Sequence, residues 1–233
     1  MKIDVLDKGY VELIETWGSD ERFIESARMS TDQGFKGWGN ADHPGDEKLL
    51  AYLYNNKHST PFEMGGMILE VKAPIFVFRE WHRHRTQSYN EMSARYIPLP
   101  DENYIPSEER LMLGANTATT NKQAQGVGNA LNPVNAEWFL AQLQDLYAHA
   151  QAVYEEGLHL GVPKELARLP VPVARYSRMR ASANIRNWLG FLTLRDHPAA
   201  QWEIRQFAKA VGTIVAENFP RTWDLFEKER TDQ

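Results

Sequence analysis

Cysteine is absent from all 233 residues of the sequence. Without a thiol the chain can form no disulfide, no thiolate metal site and no iron–sulfur cluster, and it cannot use a cysteine nucleophile. It also lacks any apolar run close to the roughly 18 residues of a membrane span. The N-terminal segment Met1–Asp7 has none of the apolar core of a secretion signal. We therefore expect a soluble, cytoplasmic protein.

Positive charge is also scarce overall. Lys and Arg number 26 against 31 Asp and Glu, which gives a formal net charge of −5 with histidine neutral. Proteins that bind long nucleic acids are usually basic, so this class is disfavoured. The 42% of hydrophobic and 24% of charged residues are typical of a globular chain that is long enough to bury a sizeable core.

The hydrophobic pattern predicts one α+β domain over residues 1–233. After Met112 the segment Asp101–Pro133 has few large apolar residues. We interpret it as a long ordered loop or lid, with a disordered insert as the alternative. Strands are predicted over Lys2–Leu6, Tyr10–Thr16, Met67–Ala73 and Val173–Ser182, and helices over Asp46–Asn56, Ile75–Trp81, Asn135–Leu160, Ile185–Leu194, Pro198–Phe219 and a segment that Ser19 or Asp20 caps and that runs to Arg28.

Arginine is concentrated in two blocks despite the acidic total. The first block, from Arg168 to Arg195, contains no Asp, Glu or Lys. A guanidinium group offers a planar, permanently charged fork of donors that suits phosphate. We interpret the blocks as a pocket for several phosphates, as in nucleotides or a dinucleotide cofactor; the alternative is a solvated strip of surface salt bridges. The first block holds Arg168, Arg175, Arg178, Arg180, Arg186 and Arg195, and the second holds Arg79, His82, Arg83, His84, Arg85 and Arg95.

No phosphate loop or metal motif accompanies these arginines. Gly65-Gly66 and Gly126-x-Gly128 lack the strand–helix context of a dinucleotide or P-loop fingerprint. The sequence has no HExxH pair, so we expect no metal site. Any bound phosphate would have to be held by side chains and helix ends.

Residues Arg83–Arg95 read RHRTQSYNEMSAR and fill every fixed position of the motif RHRxxSxNExSxR. In this the sequence resembles the flavin-dependent thymidylate synthases, whose signature the motif is. Because the motif fixes many positions at one spacing, it is far more specific than a short glycine pattern. Further segments similar to that family are Ala27–Ser30, His58–Glu63, Ala73–Trp81, Asn121–Gln123, Arg168–Pro170, Asn184–Arg186, Leu194–Arg195 and Gln201–Ile204.

The resemblance implies a reaction and an assembly. Members of that family make dTMP from dUMP without a cysteine nucleophile; 5,10-methylenetetrahydrofolate gives the one-carbon unit, and FAD reduced by NADPH supplies the hydride. Whether the carbon passes through the flavin or goes directly to dUMP stays open. The implied fold is α+β, with a mixed or antiparallel sheet flanked by long helices. Four such chains form a homotetramer whose active sites lie between subunits.

The resemblance also implies roles for individual residues. Arg195 matches the arginine that contacts the pyrimidine and favours ionisation of its imide, as a fixed cation beside a developing anion would. The positions implied to bind dUMP are Glu80, Arg83, Glu91, Ser93, Ala94, Arg95, Arg168 and Arg195. The positions implied to bind the flavin are His58, Thr60, Glu63, Arg83, His84, Arg85, Glu91, Asn184 and Arg186.

Several positions depart from the family pattern. Glu80 stands where the family often has Gln, Gly190 where many members have Asn, Ala199 where many have His, and Ala94 where many have Gly. A binding protein that keeps the phosphate pocket without turnover is therefore a competing hypothesis. A nucleic-acid-binding module that uses the arginine blocks is a third. Flavin binding without dUMP-dependent turnover would distinguish the binding protein from the enzyme.

Overall fold

One antiparallel sheet organises the residues that the computed structural model describes, which are 1–40, 42–115 and 131–231. In this part of the chain the sheet has five strands in the order β1-β2-β3-β5-β4, and every pairing between neighbours is antiparallel. The expected α+β fold is therefore confirmed, with the antiparallel form of the sheet. The strands are β1 Lys2–Val5, β2 Gly9–Trp17, β3 Gly66–Pro74, β4 Ser88–Glu91 and β5 Tyr176–Asn184.

Helices cover one face of the sheet and extend beyond it. The predicted helix Ile75–Trp81 is confirmed at both ends, and the others agree to within a few residues. The helices are α1 Asp20–Arg28, α2 Glu47–Asn55, α3 Ile75–Trp81, α4 Glu108–Ala115, α5 Pro133–His159, α6 Lys164–Ala167, α7 Ile185–Arg195, α8 Trp202–Asn218 and α9 Pro220–Thr231, with 3₁₀ turns at Met29–Thr31 and Thr60–Glu63.

The core lies between the sheet and the helix α8. Met67, Leu69 and Val71 of β3 are fully buried and alternate with the half-buried residues Ile68, Glu70 and Lys72, as the period of two in a strand requires. On α8, Phe207 and Val211 are fully buried against them, in a helix whose buried residues recur at spacings of three and four. The sheet thus has one apolar face, and its other face carries charged pairs.

Antiparallel pairing of β3 with β5 determines where two helices begin. Pro74, the last residue of β3, is opposite Tyr176, and Asn184, the last residue of β5, is opposite Gly66. The helices α3 and α7 follow directly on these strands, so they start at opposite ends of a strand pair about 30 Å long. They are about 10 Å and 16 Å long, and their C-terminal ends converge.

Four features differ from the sequence predictions. β5 begins at Tyr176 rather than Val173, because the Arg175 amide donates to the Pro172 carbonyl in a turn. The predicted helix Pro198–Phe219 is shorter, and α9 follows it as a separate helix. The strand β4 was not predicted, since its sequence is polar. The first part of the predicted 101–133 loop contains α4, while 116–130, including Asn121–Gln123, lies outside the described residues.

A buried arginine forms hydrogen bonds that hold the segment after the signature motif in place. The Arg175 side chain is completely buried, and burial lowers its pKa. Its Nε donates to Asn103 Oδ1 at 3.1 Å, Nη1 to the Pro100 carbonyl at 2.6 Å, and Nη2 to Gln151 Oε1 at 2.8 Å. One guanidinium therefore joins the chain after the motif to α5 and to the start of β5.

Replacement of Arg175 by Met should lower the free energy of unfolding by about 3 kcal/mol, because three acceptors lose their donor in a buried setting. Urea denaturation would measure this change. The matched control is Arg178→Met, since the Arg178 side chain is 54% exposed; its expected effect is within about 0.5 kcal/mol. Equal effects of the two substitutions would contradict the role given to Arg175.

Candidate functional site

The last residue of α7 meets the end of α3. Arg195 Nη1 donates to Glu80 Oε2 at 2.6 Å, and Nη2 donates to the Glu80 carbonyl at 3.0 Å. Arg195 Nε donates to His84 Nε2 at 2.9 Å. The Arg195 side chain is 16% exposed and that of Glu80 is 40% exposed. The convergence of α3 and α7 thus produces a half-buried cluster of Arg195, Glu80 and His84, called here the Arg195 cluster.

His84 is held as a neutral acceptor. Its Nε2 accepts from Arg195, so this nitrogen carries no proton. Burial, and then the Arg195 charge, lowers the pKa of His84 to about 4. The ring packs edge-on against Phe191, with 4.9 Å between centroids. The imidazole therefore orients the guanidinium without adding charge to the cluster.

Unspecified positions of the motif support the turn around His84. The Tyr89 hydroxyl lies 2.7 Å from the His84 carbonyl oxygen, and burial raises the Tyr89 pKa to about 12, so the group stays a donor. Gln87 is buried, and its Oε1 accepts from Trp81 Nε1 at 3.0 Å. Sequence reasoning missed both residues because they lie at variable positions of the motif; an aromatic residue within a polar run was the available signal.

The two outer arginines of the RHR sequence point to solvent. Arg83 and Arg85 are exposed, and neither has an ion-pair partner among the described residues. Glu91, at the end of β4, is likewise exposed, and its carboxylate is in no ion pair in that part of the chain. These side chains are therefore available to a ligand or to another subunit.

The end of the motif forms a turn beside α6. Ser93 Oγ accepts from the Arg95 amide at 3.3 Å, and Ala94 is buried beneath it. Arg95 lies 3.5 Å from Glu165 of α6, with both side chains exposed. Arg168 directly follows α6, is exposed, and has no ion-pair partner within the described ranges. The predicted dUMP arginines Arg95 and Arg168 are thus brought to neighbouring segments.

The predicted flavin residues of other segments gather at the opposite end of α7. Asn184 caps this helix, its Oδ1 accepting from the Asn187 amide at 3.0 Å. Arg186 forms an ion pair with Glu63 of the second 3₁₀ turn. His58 and Arg186 line two adjoining cavities of about 300 and 670 Å³, and exposed Thr60 lines the larger one.

Both apolar and charged side chains line the smaller cavity. Leu53, Phe62, Leu189 and Phe226 contribute the apolar part, between α2, α7 and α9. Gly190 is exposed on the same cavity, and a Cβ atom added there would meet no heavy atom within 4 Å apart from the backbone of its own helix and its chain neighbours. The departure at this position therefore leaves open space.

The structure divides the predicted site residues into three groups. Arg195, Glu80 and His84 form one, and Arg95 with Arg168 form a second. The third group consists of the residues at the start of α7 and beside it, which are Asn184, Arg186, Glu63, His58 and Thr60. It is separated from the first group because Asn184 and Arg195 are about 16 Å apart along α7. The remaining departure, Ala199, lies in the turn after α7, where its amide donates to His197 Nδ1 at 3.0 Å. That histidine therefore has a partner within the turn.

Comparisons with known proteins agree on one family. The family model described as "Thymidylate synthase complementing protein" matches residues 12–221. A flavin-dependent thymidylate synthase of Thermus thermophilus is 40% identical over 228 residues, 98% of this chain and 79% of the relative. One of Thermotoga neapolitana is 38% identical, over 98% of this chain and 95% of the relative.

A solved structure is similar over almost its whole length. The UMP/dUMP methylase PolB of Streptomyces cacaoi, bound with 5-Br dUMP, superposes with a TM-score of 0.83 at 30% identity, covering 97% of each chain. Its complex with 5-Br UMP gives a TM-score of 0.80. Among the described helices of this chain, none combines the length and apolar character needed to cross a membrane.

The neutral state of His84 has a consequence for stability. In the unfolded chain the His84 side chain takes up a proton near pH 6.5, whereas in the folded protein the pKa of His84 is about 4. Because the unfolded state then binds more protons, the free energy of unfolding should fall as the pH drops from about 6.5 to about 4. His84→Gln keeps an acceptor for Arg195 but has no imidazole to protonate. Its free energy of unfolding should therefore lack the part of the pH dependence that comes from this one proton. Chemical denaturation over this pH range would measure the difference.

The control for this prediction is His149→Gln, an exposed position on α5, which should keep the wild-type profile. Parallel profiles for the wild type and His84→Gln would show that the histidine does not titrate as described.

Proposed function

The chain belongs to the flavin-dependent thymidylate synthase family, and on that premise we propose that it is the methyltransferase that converts dUMP to dTMP. We further propose 5,10-methylenetetrahydrofolate as carbon donor and NADPH-reduced FAD as hydride donor. The observation that carries the proposal is the Arg195 cluster. Two segments 111 residues apart, the RHR motif and the end of α7, meet there through specific hydrogen bonds.

Arg195 is the proposed catalytic residue. It is a cation fixed in orientation by Glu80 and His84 before any substrate arrives, and it is mostly shielded from water. A preorganised cation stabilises negative charge that develops on the pyrimidine ring, and this charge makes the pyrimidine carbon more nucleophilic. The fixed geometry matters because no reorganisation is then needed during the reaction.

The dUMP phosphate is proposed to lie between Arg95 and Arg168. Both guanidinium groups are exposed on neighbouring segments, and the turn at Ser93 and Ala94 presents backbone amides beside them. Arginine forks match phosphate oxygens in pairs. Glu165, which lies 3.5 Å from Arg95, is an exposed partner that an anion could displace.

The residues present fit a flavin. The cavity at Gly190 offers apolar walls for a ring, while Arg83 and Arg85, which are exposed and form no ion pair with another described residue, offer charge for a diphosphate. When bound, FAD would supply redox chemistry that no side chain of this chain provides. The residues proposed to hold it are His58, Thr60, Glu63, Arg83, His84, Arg85, Glu91, Asn184 and Arg186.

A homotetramer with shared active sites is part of the proposal. It is supported by the separation of the site groups along α7 and by an apolar surface on α5. Phe139, Leu146 and Val153 recur every seven residues, and Trp138 lies next to Phe139. In chain order the four side chains are 63%, 43%, 59% and 46% exposed. Such a line of large apolar side chains, called here the α5 stripe, is typical of a helix that packs against a partner.

A single anaerobic turnover tests the reaction. The protein, loaded with FAD and reduced with NADPH, would receive dUMP and 5,10-methylenetetrahydrofolate, and dTMP would be measured beside flavin reoxidation. Formation of dTMP only when both substrates are present would support the proposal. Flavin reduction with no dTMP would favour a binding protein.

Arg195→Gln should slow that turnover by about 100-fold or more, because the preorganised charge is lost while the shape of the site is nearly retained. The measurement is the single-turnover rate constant. The matched control is Arg22→Gln on α1, where the arginine is 66% exposed and its one ion-pair partner among the described residues is Glu25. An unchanged rate for Arg195→Gln would refute the catalytic role of this residue.

Trp138→Glu should dissociate the assembly, since a charge in an apolar contact between subunits is strongly disfavoured. Light scattering after size exclusion would report the mass, for comparison with four chains of 26.8 kDa. Gln144→Glu, at an exposed position of the same helix outside the α5 stripe, should leave the mass unchanged. A tetramer that survives Trp138→Glu and Leu146→Glu would locate the interface elsewhere.

A further inference from the structure

Glu80 places a carboxylate on the arginine that is proposed to face the pyrimidine. We propose that Glu80 is a specificity-determining residue which, by neutralising Arg195, keeps the imide of the bound pyrimidine protonated up to a higher pH than a neutral side chain at position 80 would allow. The inference rests on the proposed function, because it requires the pyrimidine to contact Arg195.

The Arg195 cluster carries no net charge. Arg195 contributes one positive charge and Glu80 one negative charge at a distance of 2.6 Å, while His84 is neutral because its Nε2 accepts from Arg195. Asp196, the residue after Arg195, pairs with Arg230 at 2.9 Å, and Arg230 also pairs with Glu227 at 3.0 Å, so the charge of Asp196 has its own partner.

Other charges on the same elements do not alter this balance. Arg79 on α3 and Arg83 after it are exposed, and neither forms an ion pair with Glu80 in the described part of the chain. Arg186, on the first turn of α7, is paired with Glu63. A pyrimidine at Arg195 therefore meets a cation whose field is largely offset by one carboxylate.

The carboxylate can stay in place when substrate binds. A guanidinium group has five N–H donors. Three of those on Arg195 are used, by Glu80 Oε2, by the Glu80 carbonyl and by His84 Nε2. The other donors remain for the carbonyl oxygens of a pyrimidine, so binding does not require the Glu80 contact to break.

The chemistry concerns the N3–H of the uracil ring. Loss of this proton to solvent leaves a negative charge spread over N3 and the two carbonyl oxygens. A nearby cation lowers the pKa of such a group, and a nearby carboxylate raises it. With Glu80 present the two effects oppose each other, so Arg195 lowers the imide pKa less than it would without the carboxylate. A pyrimidine that ionises readily then gains less binding energy from Arg195 than it would from an unpaired arginine.

Glu80→Gln isolates the charge. The side chain keeps its shape, and its amide oxygen can still accept from Arg195, so only the negative charge is removed. The probe is 5-bromo-dUMP, because the electron-withdrawing bromine lowers the pKa of the imide. Its N3-methyl counterpart, which has no imide proton, gives the reference affinity of a ligand that cannot ionise at N3. Calorimetry of the FAD-loaded protein from pH 6 to pH 10, in buffers of different ionisation enthalpy, would report both affinity and proton release.

We expect Glu80→Gln to lower the pKa of the bound imide by about one unit, equivalent to about tenfold tighter binding of 5-bromo-dUMP relative to the N3-methyl reference at a pH above both pKa values. Glu80→Ala removes the same charge and should shift the pKa in the same direction. Glu47→Gln, which alters a half-exposed Glu–Arg pair with Arg221, should reproduce the wild type.

The outcomes separate this inference from the proposed function. If Arg195→Gln weakens 5-bromo-dUMP binding but neither Glu80 variant shifts the imide pKa downward, the role of Glu80 is refuted and the pyrimidine contact stands. If Arg195→Gln leaves the affinity unchanged, the proposed pyrimidine contact itself is refuted. A downward shift in both Glu80 variants, absent in Glu47→Gln, supports the inference.

Discussion

The antiparallel pairing of β3 with β5 is the constraint on which the rest of the site depends. Because the two strands run in opposite directions, the helices that follow them start about 30 Å apart and end close together. The end of α3 leads into the signature motif, and the end of α7 is Arg195. The hydrogen bonds of Arg195 to Glu80 and His84 are therefore a consequence of sheet topology, fixed by the buried β3 residues.

The arginines of this chain differ in whether their guanidinium groups donate to protein acceptors or face solvent. Arg175 is completely buried and uses protein acceptors, and Arg195 is mostly buried with a carboxylate and an imidazole as partners. A buried charge without such partners would be costly, so these two arginines have fixed orientations. Arg83, Arg85 and Arg168 are exposed and unpaired within the described residues, so anionic ligands can recruit them at little cost.

Sequence reasoning reached most of the scaffold because β1 to β3, α3 and α7 have clear periodicity and clear end signals. It missed β4 because the polar sequence of Ser88–Glu91 is held by pairing with β5 rather than by its own pattern. It ended a helix correctly at Phe219 but missed α9, which begins at Pro220, a residue that is compatible with the first turn of a new helix. The arginine blocks were evident from the sequence. Only the fold shows that Arg175 is completely buried and that Arg195 donates a hydrogen bond to the Glu80 carboxylate.

The length of α7 is a reason to expect that a complete site needs more than one chain. Arg186 and Arg195 lie on the same helix, yet the cavity at Arg186 faces α2 and α9, whereas Arg195 faces α3. A nucleotide and a flavin whose rings must meet cannot easily use both ends of one such helix. A second copy could bring its own exposed Arg83 and Arg85 to the cavity end. In the proposed homotetramer, association through the α5 stripe would link assembly to catalysis, because it would complete a site that one chain leaves divided.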